Sequence, residues 1–390
     1  MKIRNFFYFA FAIPFLLEAT FIPMFTILIP GSPLSLGRIC LVLLGGMEIK
    51  HWRIKRARPL FFYVMFFLVI GTLLGTLFSE NFGTDFIAFL GFSLLLISSY
   101  SASNILRFPK IRKLVTYFFI FSFFYWVFFV FSTTIVGGRF AQTYGEIYRA
   151  NRLVNSNLIN YHSFGLLLSC SILYLDQLYS WLKKLNPIGI IFILLGIGII
   201  IITESRANLL IVLFALFFFY TVGNGLKLKT IFVLSLALGV ILFLVSFFMG
   251  TNESLARRFD LNDAGYIEQT TKSRFDFIWL VFDELGDKPF GRGANNTRVE
   301  YNGIPFQPHN QYLTFILFAG LFGIIANIFW VIALSRQLLI TTRYKLNYLK
   351  PFLSVVFVTM ATLLTNDVSG AFFFLVFMIQ SWVSKEIIST

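Results

Sequence analysis

The sequence predicts an all-α, polytopic membrane protein of about 12 transmembrane helices with one large loop between them. Composition is the first reason. Of 390 residues, 57% are hydrophobic and only 13% charged, with mean hydropathy +0.79; soluble domains carry about 25% charged residues. Segmentation is the second. Apolar runs of roughly 18–25 residues recur along the whole chain, each long enough to cross a bilayer as a helix. The third is periodicity. The alternating pattern of barrel strands is missing from the sequence, so helices, which satisfy their own backbone, are the spanning elements.

Taken in order, the helices fall at roughly 6–29, 34–48, 60–78, 84–101, 114–136, 160–176, 187–203, 207–222, 230–249, 309–334, 351–365 and 370–386. The first follows Met1–Arg4 and lacks a small-residue cleavage site, so it reads as a retained helix. The chain divides into helices 1–9 over 1–249 with a small loop at 137–159, a large loop at 250–308, and helices 10–12 over 309–390. In the large loop, Phe275, Ile278, Trp279 and Phe282 recur at helical spacing. They predict an amphipathic helix that begins at Arg274, lies on the membrane surface and ends in the Pro289–Gly293 stretch. The Gly-Arg-Gly inside that stretch follows no strand and is no nucleotide fingerprint. The sequons at Asn252 and Asn295 are too common to carry an argument.

Charge sets the expected orientation. With the N-terminus in the cytoplasm, 20 of the 32 Lys and Arg residues fall inside, termini included, and both termini are cytoplasmic. Twelve remain outside, and ten of these are Arg; inside, Lys outnumbers Arg by twelve to eight. Inner charges need only be positive, whereas the planar guanidinium fork grips phosphate bidentately. The net charge of +14 is therefore mostly topology, and no nucleic-acid partner is read from it. The outer arginine bias, which includes Arg139, Arg149 and Arg152 in the small loop and Arg292 in the large one, suggests a phosphorylated ligand.

Several polar residues stand out from this apolar background. Arg206 lies between two apolar runs with almost no loop; it either snorkels beside Glu204 or faces a cavity. His309 and Asn310 open a hydrophobic helix, where a lone histidine is more often a hydrogen-bonding group than a catalyst. Asp367, in the hairpin before the last helix, either caps that helix or completes an outward-facing site. His51, His162 and His309 do not have metal-ligand spacing, and Cys40 and Cys170 lie in apolar runs as packing residues. No cofactor or metal site is expected, and neither a Walker A loop nor a Gly-x-Ser-x-Gly elbow is present in the sequence.

His309-Asn310, nine residues, Gly320, two residues and Gly323 together are similar to the signature of bacterial O-antigen ligases. Arg206-Ala-Asn-Leu-Leu210 resembles that family's Arg-x-x-x-Leu motif, Arg274 its second arginine, and Asp367 an aspartate before its last helix. O-antigen and capsule polymerases of the same superfamily share the pattern. The resemblance implies a GT-C-like fold in the bacterial inner membrane with a periplasmic active site. It implies transfer of a glycan from undecaprenyl pyrophosphate to an acceptor hydroxyl, with His309, Arg206 and Arg274 catalytic. Asn310, Arg139, Arg149, Arg152, Arg292 and Asp367 would bind substrate. The acceptor is lipid A-core for a ligase and a second carrier-linked repeat unit for a polymerase. A non-enzymatic flippase of the same lipid-linked glycan is the rival from another class. A flippase should carry charges deep in several helices, whereas Glu18 is the main such charge in this sequence.

Overall fold

The structure is a computed structural model describing residues 3–20, 27, 34–49, 59–131, 161–202, 206–224, 239, 264–295, 298–301, 304–306, 308, 310–364 and 370–389. Of these, 3–5, 129–131, 161–164, 202, 206, 223–224, 264–275, 301, 304–306 and 389 are described by their backbone only. Thirteen helices of more than one turn are seen among the described residues. They are α1 (Ile3–Thr20), α2 (Leu36–Glu48), α3 (Leu60–Leu77), α4 (Phe82–Ala102), α5 (Pro109–Phe131), α6 (Tyr161–Tyr179) and α7 (Pro187–Ile202). There follow α8 (Arg206–Asn224), α9 (Ala264–Asp287), α10 (Gln311–Ala319), α11 (Leu321–Arg343), α12 (Lys350–Thr362) and α13 (Ala371–Ser389). A two-stranded antiparallel hairpin, β1 (Val299–Tyr301) and β2 (Ile304–Phe306), lies between α9 and α10.

Five helical segments are long and apolar enough to cross a bilayer: α3, α4 with the 3-10 turn after it, α5, α11 and α13. Shorter apolar helices in α1, α6, α7, α8 and α12 pack among them. The protein is a multi-pass helical membrane protein. The expected helix at 230–249 lies outside the described residues, as does the small loop at 137–159.

Two expectations are corrected. The single tenth helix over 309–334 is two helices, because Gly320 adopts φ +56 and ψ −134, a region open to glycine alone. Its second half, α11, also runs on to Arg343, nine residues past the expected end. The loop helix begins at Ala264 rather than at Arg274.

The helices pack into one bundle, with α3 against α11 and α4, α2 against α1 and α4, α6 against α12, α5 and α8, and α13 against α4, α1 and α12. An aromatic cluster marks its middle. The Trp330 indole meets the rings of Phe61, Phe315, Phe373 and Phe377, and its N–H donates to Gln380 Oε1. Burying an aromatic side chain of this kind is worth about 1.5–3 kcal/mol when the alternative is water; within lipid the gain comes from packing instead.

The direction of each helix places the ends. Tyr174 of α6 packs on Phe352 and Cys170 beside Thr359, so α6 and α12 run antiparallel. The ring of Phe357 stacks on Phe214 and Phe218 of α8. The starts of α6, α8, α10 and α13 thus gather with the end of α12 at one end of the bundle, where α9 packs on α10. This is called the cap end. Lys385, by contrast, donates to Tyr100 O at 2.7 Å, Ser103 Oγ at 2.7 Å and Asn104 Oδ1 at 3.2 Å at the far end.

Candidate active site

The cap end is built around the start of α10. Asn310 is its N-cap: Oδ1 accepts from Tyr312 N at 3.0 Å and Leu313 N at 3.2 Å. Such a cap satisfies two of the orphan donors that every helix start presents. The other half of the amide, Nδ2, donates to Leu364 O at 3.1 Å. Gln311 N donates to Leu363 O at 2.9 Å and Tyr312 Oη to Met360 O at 2.9 Å. Three bonds therefore tie the segment after position 309 to the last turn of α12, which leads directly into residues 365–369. The sequence left open whether Asn310 orients the histidine or binds sugar. Its Oδ1 is taken by two backbone amides and one of the two Nδ2 hydrogens by a backbone carbonyl.

The glycines of the signature have a mechanical reason. At the break, Leu321 N donates to Pro289 O at 2.9 Å and Arg292 N to Leu317 O at 2.7 Å. A Cβ on Gly320 would sit 2.6 Å from Gly291 N and Phe290 C, and one on Gly75 2.9 Å from Gly293 N and Phe290 O. The Pro289–Gly293 stretch is therefore a backbone wedge that locks α9 and its loop onto α3, α10 and α11. Gly291 (φ +87) and Gly293 (φ +89) give the wedge its turns. The Gly-Arg-Gly stretch, which sequence reasoning dismissed as a nucleotide motif, is this docking element.

Two carboxylates support the wedge. Asp85, 1% exposed, accepts from Asn295 N at 3.2 Å and from Ser79 Oγ, linking the α3–α4 hairpin to the loop. Glu284, at the end of α9, takes both Nε and Nη2 of Arg292, whose Nη1 also donates to Arg298 O at 3.0 Å. The guanidinium that sequence reasoning assigned to substrate is thus gripped within the cap. On the surface, Lys288 bonds Glu80 at 2.8 Å and holds that carboxyl below its ordinary range. Asp85 and Glu284 escaped sequence reasoning because single acids near helix ends are common; only the spatial partner marks them.

The amphipathic helix has two apolar faces. Phe277 and Val281 of α9 are buried with Leu313, Ile316 and Leu317 of α10 and Val299 of β1, forming a second small core. Trp279 and Phe282 point away and are 68% and 44% exposed. Of the predicted stripe, Trp279 and Phe282 thus face away while Ile278 packs against this small core, and Phe277 and Val281, which dock the helix, were not singled out from the sequence.

The predicted site residues can now be placed. Arg206 begins α8 and Arg274 lies within α9, one turn before Phe277; for both only the backbone is described. Both helices contribute to the cap end, and in the first turn of α8 Asn208 is fully buried against Gly165 of α6. His309, Arg139, Arg149, Arg152 and Asp367 lie outside the described residues. Asn310, next in sequence to His309, is bonded to Leu364, three positions before Asp367. Arg38, on the other flank of the hairpin, lies 3.5 Å from where a Cβ on Gly370 would be and 3.4 Å from Glu18. Glu18 is not alone as a buried charge, since Glu48, Asp85 and Asp176 are also buried near helix ends.

The class is thus a multi-pass membrane protein with an amphipathic helix docked on α10. Residues 191–328 match the family model described as O-antigen ligase, and that match supports membership of the O-antigen ligase and polymerase superfamily. The matched segment spans Arg206, Arg274, His309, Gly320 and Gly323. No curated protein and no solved structure matches the chain.

Proposed function

We propose that the chain is an O-antigen ligase, transferring a glycan from undecaprenyl pyrophosphate to a hydroxyl of lipid A-core on the periplasmic face of the bacterial inner membrane. The observation that carries this is the family match, which contains the arginine motifs and the whole His-Asn-Gly-Gly signature. In this reading the cap end faces the periplasm and both termini are cytoplasmic, following the charge bias of the loops.

The chemistry follows from the residue types. The acceptor oxygen attacks the anomeric carbon, the bond from that carbon to the pyrophosphate oxygen breaks, and His309 takes the hydroxyl proton. Pyrophosphate leaves readily, so it needs positive charge rather than an acid, and Arg206 and Arg274 supply it. Arg139, Arg149, Arg152 and Asp367 line the donor and acceptor groove. Asn310 ties the start of α10 to the end of α12, and Arg292 braces the cap that carries Arg274. A single displacement inverts the anomeric centre; retention of configuration in the product, read by NMR, would exclude it.

The deciding test follows lipopolysaccharide on gels in strains lacking either the ligase or the polymerase. Restored ladders in the ligase-null strain, lost with His309→Ala, establish the reading. Chain lengthening in the polymerase-null strain alone would make the protein a polymerase joining carrier-linked repeats. Full activity of His309→Ala would remove the histidine from the mechanism.

A further inference from the structure

At the far end of the bundle, opposite Asn310, a cavity of about 390 Å³ opens between the ends of α6, α8 and α11 and the start of α12. Nothing in the transfer reaction uses it. Its polar wall carries two ammonium groups, Lys183 from the turn after α6 and Lys350 from the first turn of α12. Among the described residues neither forms an ion pair. The one carboxylate lining the cavity, Asp176, is already engaged: Oδ1 accepts from Leu182 N at 2.9 Å and Oδ2 from Gln177 Nε2 at 3.0 Å.

A second observation points into the same space. Thr341 lines the cavity, is 2% exposed, and its hydroxyl oxygen has no hydrogen-bond partner among the described residues. Thr72, Thr116, Thr221, Thr359 and Thr362 each return their hydroxyl to the carbonyl four residues back. Thr341 departs from that habit, and a buried hydroxyl without a partner is costly. Asn347 adds an amide to the same wall. The opposite wall is apolar, formed by Phe218, Leu338 and Leu353, and Leu178 and Val222 beside it are 40% and 43% exposed. Two unpaired cations, an idle hydroxyl and a greasy wall reaching the bundle surface suit an anion with a hydrocarbon tail.

We propose that this cavity binds the phosphate head group of an anionic phospholipid, the phosphate between Lys183 and Lys350 with Thr341 donating to it, and the acyl chains leaving past Leu178 and Val222. The same phosphate chemistry is offered by free phosphate, and the test separates the two.

The full chain, purified in neutral detergent, is titrated with dihexanoyl phosphatidylglycerol, dihexanoyl phosphatidylcholine or inorganic phosphate, with binding followed by native mass spectrometry and thermal shift. Phosphatidylglycerol should bind roughly tenfold or more tighter than phosphatidylcholine, and Lys183→Gln with Lys350→Gln should erase that preference. Thr341→Val, which keeps shape, should weaken phosphatidylglycerol severalfold and leave phosphatidylcholine unchanged. Lysine-dependent binding of inorganic phosphate as tight as that of the lipid supports the phosphate site and overturns the lipid as its source. Equal binding of the two lipids, or a preference unchanged in the variants, overturns the site. Should the double lysine variant fail to fold, the Thr341→Val comparison decides alone.

Discussion

At position 310 one amide holds two structures in register. Asn310 caps α10 through Oδ1 and reaches the end of α12 through Nδ2. Asn310→Ala removes both, at about 1 kcal/mol for the cap and a similar amount for the cross-helix bond. Because Asn310 anchors the start of α10 next in sequence to the proposed base, the expected loss falls mainly on turnover, with kcat down about 10- to 100-fold and KM little changed. Asn310→Asp, which keeps the accepting oxygen and loses the donor to Leu364, should retain the cap and an intermediate rate. Steady-state kinetics beside thermal melting checks this; a rise in KM at constant kcat would instead make the amide a substrate contact. The motif was legible in the sequence as a pattern of residue types. That its asparagine is a cap and its Gly320 a chain break was not, because both depend on partners fifty residues downstream and thirty upstream.

At the level of elements, α9 is the amphipathic piece docked on α10. Its docking face is short, Phe277 and Val281 on α10, so the wedge at Pro289–Gly293 and the Arg292–Glu284 clamp matter for holding it. Both partners of the clamp are about one fifth exposed, so the pair is worth more than a surface bridge, on the order of 1–2 kcal/mol. Arg292→Glu should loosen the cap and lower activity, and the swap Arg292→Glu with Glu284→Arg should restore both. Limited proteolysis of the loop together with a transfer assay reads the two effects. Restored protease resistance without restored activity would return Arg292 to the substrate. The Lys288–Glu80 pair adds little by comparison. Glu80 is held below its ordinary range, so its contribution exists near neutral pH and fades as acid protonates the carboxyl, and it lies in open solvent. Most helices were legible because uninterrupted apolar runs have one stable form in lipid. The first half of α9 was not, since Ala264–Ser273 is polar and carries no stripe. The break at Gly320 was hidden by Phe and Leu on both sides.

For the whole molecule, the orientation decides whether the cap end meets lipid-linked glycan at all. The charge asymmetry puts Asn295, two residues past the wedge, outside and Asn347, between α11 and α12, in the cytoplasm. Both are exposed in the fold, and the native thiols are not: Cys40 is 5% and Cys170 0% accessible. A membrane-impermeant maleimide should therefore leave the wild-type chain unlabelled in intact spheroplasts. Asn295→Cys should react there, and Asn347→Cys only after the membrane is opened. The control is internal, since the far-end probe lies in a short turn that ends in Lys350 and reports on the same bundle. Labelling of Asn347→Cys in intact spheroplasts would invert the molecule and put His309, Arg206 and Arg274 on the wrong side for a carrier-linked donor. The family match fixes neither outcome, because it concerns sequence over 191–328 and not sidedness. The charges do make a choice: reversing the chain would place twenty basic residues where twelve now stand, against the bias that keeps basic loops in the cytoplasm.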